Sequence, residues 1–177
     1  MSGPCQVSIT IGSIIQGSTS KDPSPNGVEM ALQVRNRQRT IRLDTKFLKK
    51  VGETTLAKMG VGEAECALVL VGDRAMARLN ERYRGIARST DVLSFPMREG
   101  PFASLSPDLL GDVVISAETA DRQSRAAGRS LREEVAALLI HGILHLLGYD
   151  HQTRSEERKM KRLEARLGFP FIETRSG

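Results

Sequence analysis

Tryptophan is absent from this 177-residue chain, and other aromatics are few: two tyrosines and five phenylalanines. The core must therefore be built from Leu, Ile, Val, Ala and Met, and little aromatic surface is left for stacking bases. Cysteine is nearly absent as well. Cys5 and Cys66 lie far apart and neither belongs to a Cys-x-x-Cys pair, which argues against a disulfide framework or a thiolate zinc site and for free thiols in a reducing compartment. No apolar run approaches the ~20 residues needed to span a bilayer. The N-terminal stretch has no basic start, and Ser, Thr and Gly interrupt its apolar part, so it reads poorly as a signal peptide. The expected location is cytoplasmic, with no membrane partner. No internal repeat is present.

Acidic residues are outnumbered, 21 against 26 Lys and Arg, giving a net charge of +5. That balance tilts towards polyanionic partners such as nucleic acid but says nothing of the fold. Residues 16–27, QGSTSKDPSPNG, have linker composition. Residues 1–29 are therefore expected to be a flexible extension, with Met30 as the true start, 30–170 as the folded domain and 171–177 as a tail.

From residue 30 the pattern is regular. LQVRN alternates like a strand. Asp44 is placed to cap a helix over 45–59 that Gly60 stops. AECALVLV, 64–71, has the length and apolarity of a buried strand. Asp73 is expected to cap a helix reaching Tyr83. TDVLSFP, 90–96, and DVVIS, 112–116, read as strands flanking a Pro/Gly-containing loop over 97–110. Helices follow over 117–127, over 131–147 behind a Ser130–Glu133 capping box, and to Leu167 behind a Thr153–Glu156 box. The order β-α-β-α-β-β-α-α-α predicts an α/β fold of α+β-like layout. Its expected form is a small mixed, mostly parallel four-stranded sheet packed by about five helices. The helix over 131–147 is apolar nearly all round after Glu134, which places it at the centre.

Histidine is scarce too, and all three residues fall within HGILHLLGYDH, 141–151. On a helix, positions i and i+4 share a face, so His141 and His145 project together. Gly148 permits a left-handed turn that brings His151 back over them. Three imidazoles with an open fourth position describe a catalytic metal site rather than a closed structural one. Zinc is favoured, one ion per chain; imidazole also suits copper, nickel and iron. The spacing His-x-x-x-His-x-x-Gly-x-x-His is shared with metzincin peptidases, but those need Glu directly after the first His as general base. Here that residue is Gly142, so a peptidase or amidase is the weaker alternative.

Together HGILHLLGYDH (141–151), LNERYRG (79–85), TDVLSFP (90–96) and GDVVIS (111–116) resemble the YbeY family of bacterial metallo-endoribonucleases, in the family's order and over about residues 30–170. The resemblance implies single-strand-specific RNA cleavage, maturation of the 16S rRNA 3′ end and late-stage ribosome quality control. It implies zinc on His141, His145 and His151, ribosomal RNA as substrate and small-subunit proteins as partners. It also implies a functional arginine at Arg84. A guanidinium there suits phosphodiester cleavage, because its fork of donors meets the charge that builds on phosphate oxygens. Asp150 is a candidate to orient an imidazole. Arg35, Arg37 and Arg39, at alternate positions, are candidates to share a strand face and contact RNA phosphates. Asp91 and Asp112 are read as solvated strand ends rather than cleft residues. A non-catalytic ribosome-associated module whose metal only stabilises the fold is the remaining alternative.

Overall fold

The computed structural model describes residues 32–97, 108–168 and 171. The expected N-terminal extension and start at Met30 lie outside them, as does all of the expected tail except Phe171. Nine elements follow in the order read from the sequence: β1 Leu32–Asn36, α1 Thr45–Lys58, β2 Glu65–Val71, α2 Asp73–Arg84, β3 Val92–Pro96, β4 Leu109–Ser116, α3 Ala117–Ala126, α4 Leu131–Leu146 and α5 Arg154–Gly168. The four strands form one sheet in the order β1-β2-β4-β3. β1 runs parallel to β2 and β2 to β4, while β3 pairs antiparallel along β4, so the sheet is mixed and mostly parallel as expected.

Central strand β2 explains its continuous apolar run. Side chains alternate across a strand, and both faces of this one are covered. Leu68 and Leu70 enter the larger core with α1, α4 and α5, whereas Val69 and Val71 join Met76, Leu93 and Val114 in a smaller core. Helix α4 lies in the larger core, and ten of its sixteen residues are buried. Outside its first two residues, the positions left open are Glu133, Ala137, His141 and His145, one stripe at four-residue spacing. The Ser130–Glu133 box is present at its start.

Three local expectations need correction. Asp73 does not cap α2. Gly72 is the cap residue, and the Asp73 N–H donates instead to Glu118 Oε2 at 2.7 Å. The Asp73 carboxylate looks elsewhere: it accepts from Ser89, Ser116, Thr119 and Arg122 at 2.6–2.9 Å. β4 starts at Leu109, inside the stretch read as a loop, because Gly111 is used for close approach rather than a turn. Its φ is +131°, and a Cβ there would meet the Phe95 carbonyl oxygen at 2.1 Å. Finally, β1 ends at Asn36. Asn36 Oδ1 accepts from the Gln38 N–H, and Gln38 Nε2 donates to the Ile41 carbonyl, so the chain turns. Only Arg35 of the three alternating arginines sits on the strand.

Candidate metal centre

His141 and His145 occupy the open stripe of α4. After Leu146 the helix is closed by main-chain bonds: Gly148 donates to the His145 carbonyl and Tyr149 to that of Leu144, both at 3.0 Å. Closure requires Gly148 at φ +82°, a conformation that costs little only without a Cβ. The chain then reverses, and the Thr153–Glu156 capping box starts α5. His151, on this turn, returns to the other two.

One nitrogen from each of the three rings lies within 4.8 Å of the others. His141 Nε2 and His145 Nε2 are 3.1 Å apart. Two nitrogens bound to one tetrahedral zinc at ~2.0–2.1 Å would stand about 3.3 Å apart, so the His141–His145 pair is spaced for such an ion. His141 and His145 are half-buried and His151 is exposed, which leaves the cluster open on one side. Burial, and then the neighbouring imidazoles, push the His145 pKa down. The ring is thus kept neutral, the form that ligates.

One contributor was not anticipated from the sequence. Glu164 Oε1 on α5 stands 2.6 Å from His141 Nδ1. The hydrogen bond to His141 holds this carboxyl below its usual range against the opposing effect of burial, so Glu164 stays ionised. An ionised acceptor at Nδ1 puts the imidazole proton there and leaves the Nε2 lone pair aimed into the cluster. The only trace in the sequence is an acid beside the stripe Met160, Leu163 and Leu167.

The predicted residues fall in different places. Arg84 ends α2, followed by Gly85 at φ +70°, and is exposed. Its positive charge is among the smaller contributions to the lowered pKa of His145. Asp150 does not meet an imidazole. Its oxygens accept from the His151 main-chain N–H at 2.8 Å and from Gln152 Nε2 at 2.6 Å, so it fixes the turn that carries His151. Arg35 stands on edge strand β1, at the opposite side of the sheet from β3, against which α4 packs through a Ser94 Oγ–Gly142 carbonyl bond. Asp112 is raised by burial, with Arg35 opposing. Asp91, expected at a solvated strand end, is half-buried, accepts from Gln123 Nε2 and the Val92 N–H, and borders a cleft of about 500 Å³ that also exposes His141 and Glu164.

Gly142 carries a second message. A Cβ there would lie 2.5 Å from Val113 Cγ1 and 3.3 Å from Ser94 Oγ. The residue after the first histidine faces the sheet at a point with no room for any side chain, so a glutamate base cannot be accommodated there without displacing the sheet.

Comparison with known proteins agrees with this architecture. The family described as Endoribonuclease YbeY matches residues 33–169. An endoribonuclease YbeY of Geobacter sulfurreducens is 44% identical over 137 residues, covering 77% of this chain and 91% of the relative. That of Pelotomaculum thermopropionicum is 46% identical over 141 residues, covering 76% and 93%. A solution structure of a Thermotoga maritima protein superposes with a TM-score of 0.54 at 25% identity, covering 78% of this chain and 90% of the other.

Proposed function

This chain belongs to the Endoribonuclease YbeY family, and on that premise we propose that it is a cytoplasmic, zinc-dependent endoribonuclease specific for single strands, acting in 16S rRNA 3′-end maturation and late-stage ribosome quality control. The observation that carries the reading is the convergence of three imidazole nitrogens within 4.8 Å, open on one side. His141, His145 and His151 would hold the ion. Zinc there supplies Lewis acidity towards a phosphate oxygen or water. Glu164 keeps the His141 proton on Nδ1 and so keeps Nε2 available. Arg84 binds the phosphate oxygens on which negative charge develops, and its planar fork positions the phosphodiester for attack. Arg35, Arg37 and Arg39 lie outside this machinery and contribute at most to holding RNA electrostatically.

The attacking group is either water or the ribose 2′-OH. End-group analysis separates them: a 2′,3′-cyclic phosphate marks the 2′-OH route, and attack by water leaves none. The peptidase alternative is disfavoured by Gly142, whose position facing Val113 has no space for the required acid. The reading as a non-catalytic module is tested by Arg84→Ala. Loss of one donor to the developing charge should slow cleavage of single-stranded RNA by ~10²–10³-fold, with metal content and thermal midpoint unchanged. The same variant should fail to process ribosomal RNA in cells. Full processing by a folded, zinc-loaded Arg84→Ala protein would overturn the proposal, as would wild-type protein that cleaves casein but not RNA.

A further inference from the structure

Two rows of arginine lie on α2 and α5, the helices that end at Arg84 and carry Glu164 respectively. On α2, Arg74, Arg78 and Arg82 recur every four residues on the side opposite buried Met76 and Asn80, and the row stops two positions before Arg84. On α5, Arg154, Arg158, Arg162 and Arg166 do the same opposite Met160 and Leu167, and that row starts three positions after His151. All seven are exposed, and none forms an ion pair with another described residue. Acids on the same helices are mostly engaged elsewhere. Asp73 is held by Arg122, Glu157 pairs with Lys161, Glu164 meets His141 and Glu156 closes its capping box; Glu81 is the one exposed acid left on α2.

Unpaired like charges at four-residue spacing repel one another and weaken an isolated helix by a few tenths of a kcal/mol per pair. Such a row is stabilised when a polyanion lies along it. Successive side chains stand about 6 Å apart along the axis. That spacing is comparable with the distance between neighbouring phosphates along a nucleic-acid backbone. The rows extend over about 12 Å on α2 and about 18 Å on α5. An endonuclease needs its substrate held on both sides of the bond it cuts, and the two rows lie on separate helices, one ending at Arg84 and one carrying Glu164. Aromatic stacking, the usual second source of single-strand affinity, has little to offer here: Tyr83 packs on Phe95 and Phe47 on Phe171.

We infer that Arg74, Arg78 and Arg82 on α2 and Arg154, Arg158, Arg162 and Arg166 on α5 form a two-armed track for the phosphate backbone of single-stranded RNA, with the scissile bond between the arms. This rests on the endoribonuclease reading but is tested apart from it. Binding of a fluorescent 20-nucleotide RNA is measured by anisotropy across a salt series, using full-length protein carrying His145→Ala so that no cleavage is involved. Each phosphate contact adds ~0.7 to the slope of log affinity against log salt. Replacing the three α2 arginines with Gln, which has similar helix propensity, should lower that slope by about 2, and replacing the four on α5 by about 3. Lys46→Gln with Lys50→Gln on α1 is the control and should leave it unchanged. Arg78→Gln alone should remove ~0.7 and covers the case in which a multiple variant does not fold. A change below one in either multiple variant overturns the track. So does an unchanged RNA slope with lost binding to polyglutamate, which would assign the rows to an acidic protein. Should wild-type protein prove unable to cut RNA, the catalytic reading falls while the slopes still decide this one.

Discussion

Asp73 and the histidine cluster are both knots of polar side chains drawn from distant parts of the chain, yet they are built to opposite ends. The Asp73 carboxylate collects four donors from three segments: Ser89, Ser116 and the α3 residues Thr119 and Arg122. Oδ1 takes three of these bonds and Oδ2 the fourth, and the knot joins the start of α2 to β4 and α3. The histidine cluster does the reverse. Its three nitrogens face one another, and among the described residues His141 Nδ1 alone has a hydrogen-bond partner outside the cluster, Glu164. Burial opposes ionisation at Asp73, but hydrogen bonds from Arg122, Ser116, Thr119 and Ser89 outweigh it and hold the carboxyl far below its usual range. At His145 burial and then the neighbouring imidazoles outweigh the opposing charge of Asp150, and the pKa falls. A buried polar group short of partners is therefore a candidate for function, whereas a densely bonded one marks architecture.

Substitutions sharpen that contrast. The largest effect is expected from His145→Ala: metal content measured by mass spectrometry drops below one ion per ten chains and RNA cleavage falls on the order of 10³-fold. The metal-free chain should melt close to the metal-free wild type. Asp73→Asn should do the opposite, lowering stability in urea unfolding by about 3 kcal/mol while each folded molecule keeps its activity. Its pH dependence has a definite sign. A carboxyl depressed in the folded state stabilises above its unfolded value near ~3.9, and that contribution is lost as pH falls towards the folded value. Wild-type protein should therefore lose stability more steeply than Asp73→Asn on acidification below about pH 4. Equal acid limbs would break the comparison. Glu164→Gln comes next. It should weaken zinc binding by ~10–100-fold in competition with a chromogenic chelator, with little change in the thermal midpoint of the metal-free chain. Smallest is Gly142→Ala, which should cost about 1–3 kcal/mol in the same unfolding assay through its clash with Val113.

The local elements were legible because local rules govern them. The capping pairs Ser130–Glu133 and Thr153–Glu156 are spelled out in order along the chain, and both are formed. Four-residue spacing alone put His141 and His145 on one face, and Gly148 announced the turn. Where local chemistry is ambiguous, the reading went astray. Leu109 and Leu110 fall in the stretch read as a loop yet belong to β4, since the pairing that extends this strand is with β2, distant in sequence. Asp73 has a cap residue's identity, but its partners come from 16, 43, 46 and 49 positions away.

By itself the sequence determined which segments become helices and strands, that α4 is buried, and that three imidazoles share one side of a helix and its turn. Spacing, capping and apolar pattern act over a few residues and need no knowledge of the rest. Only the tertiary structure decided that β4 lies between β2 and β3, that Glu164 orients His141, and that Gly142 faces the sheet. Each of these depends on which distant surfaces pack together, and that is fixed by the fit of whole elements in the core rather than by any short stretch of chain.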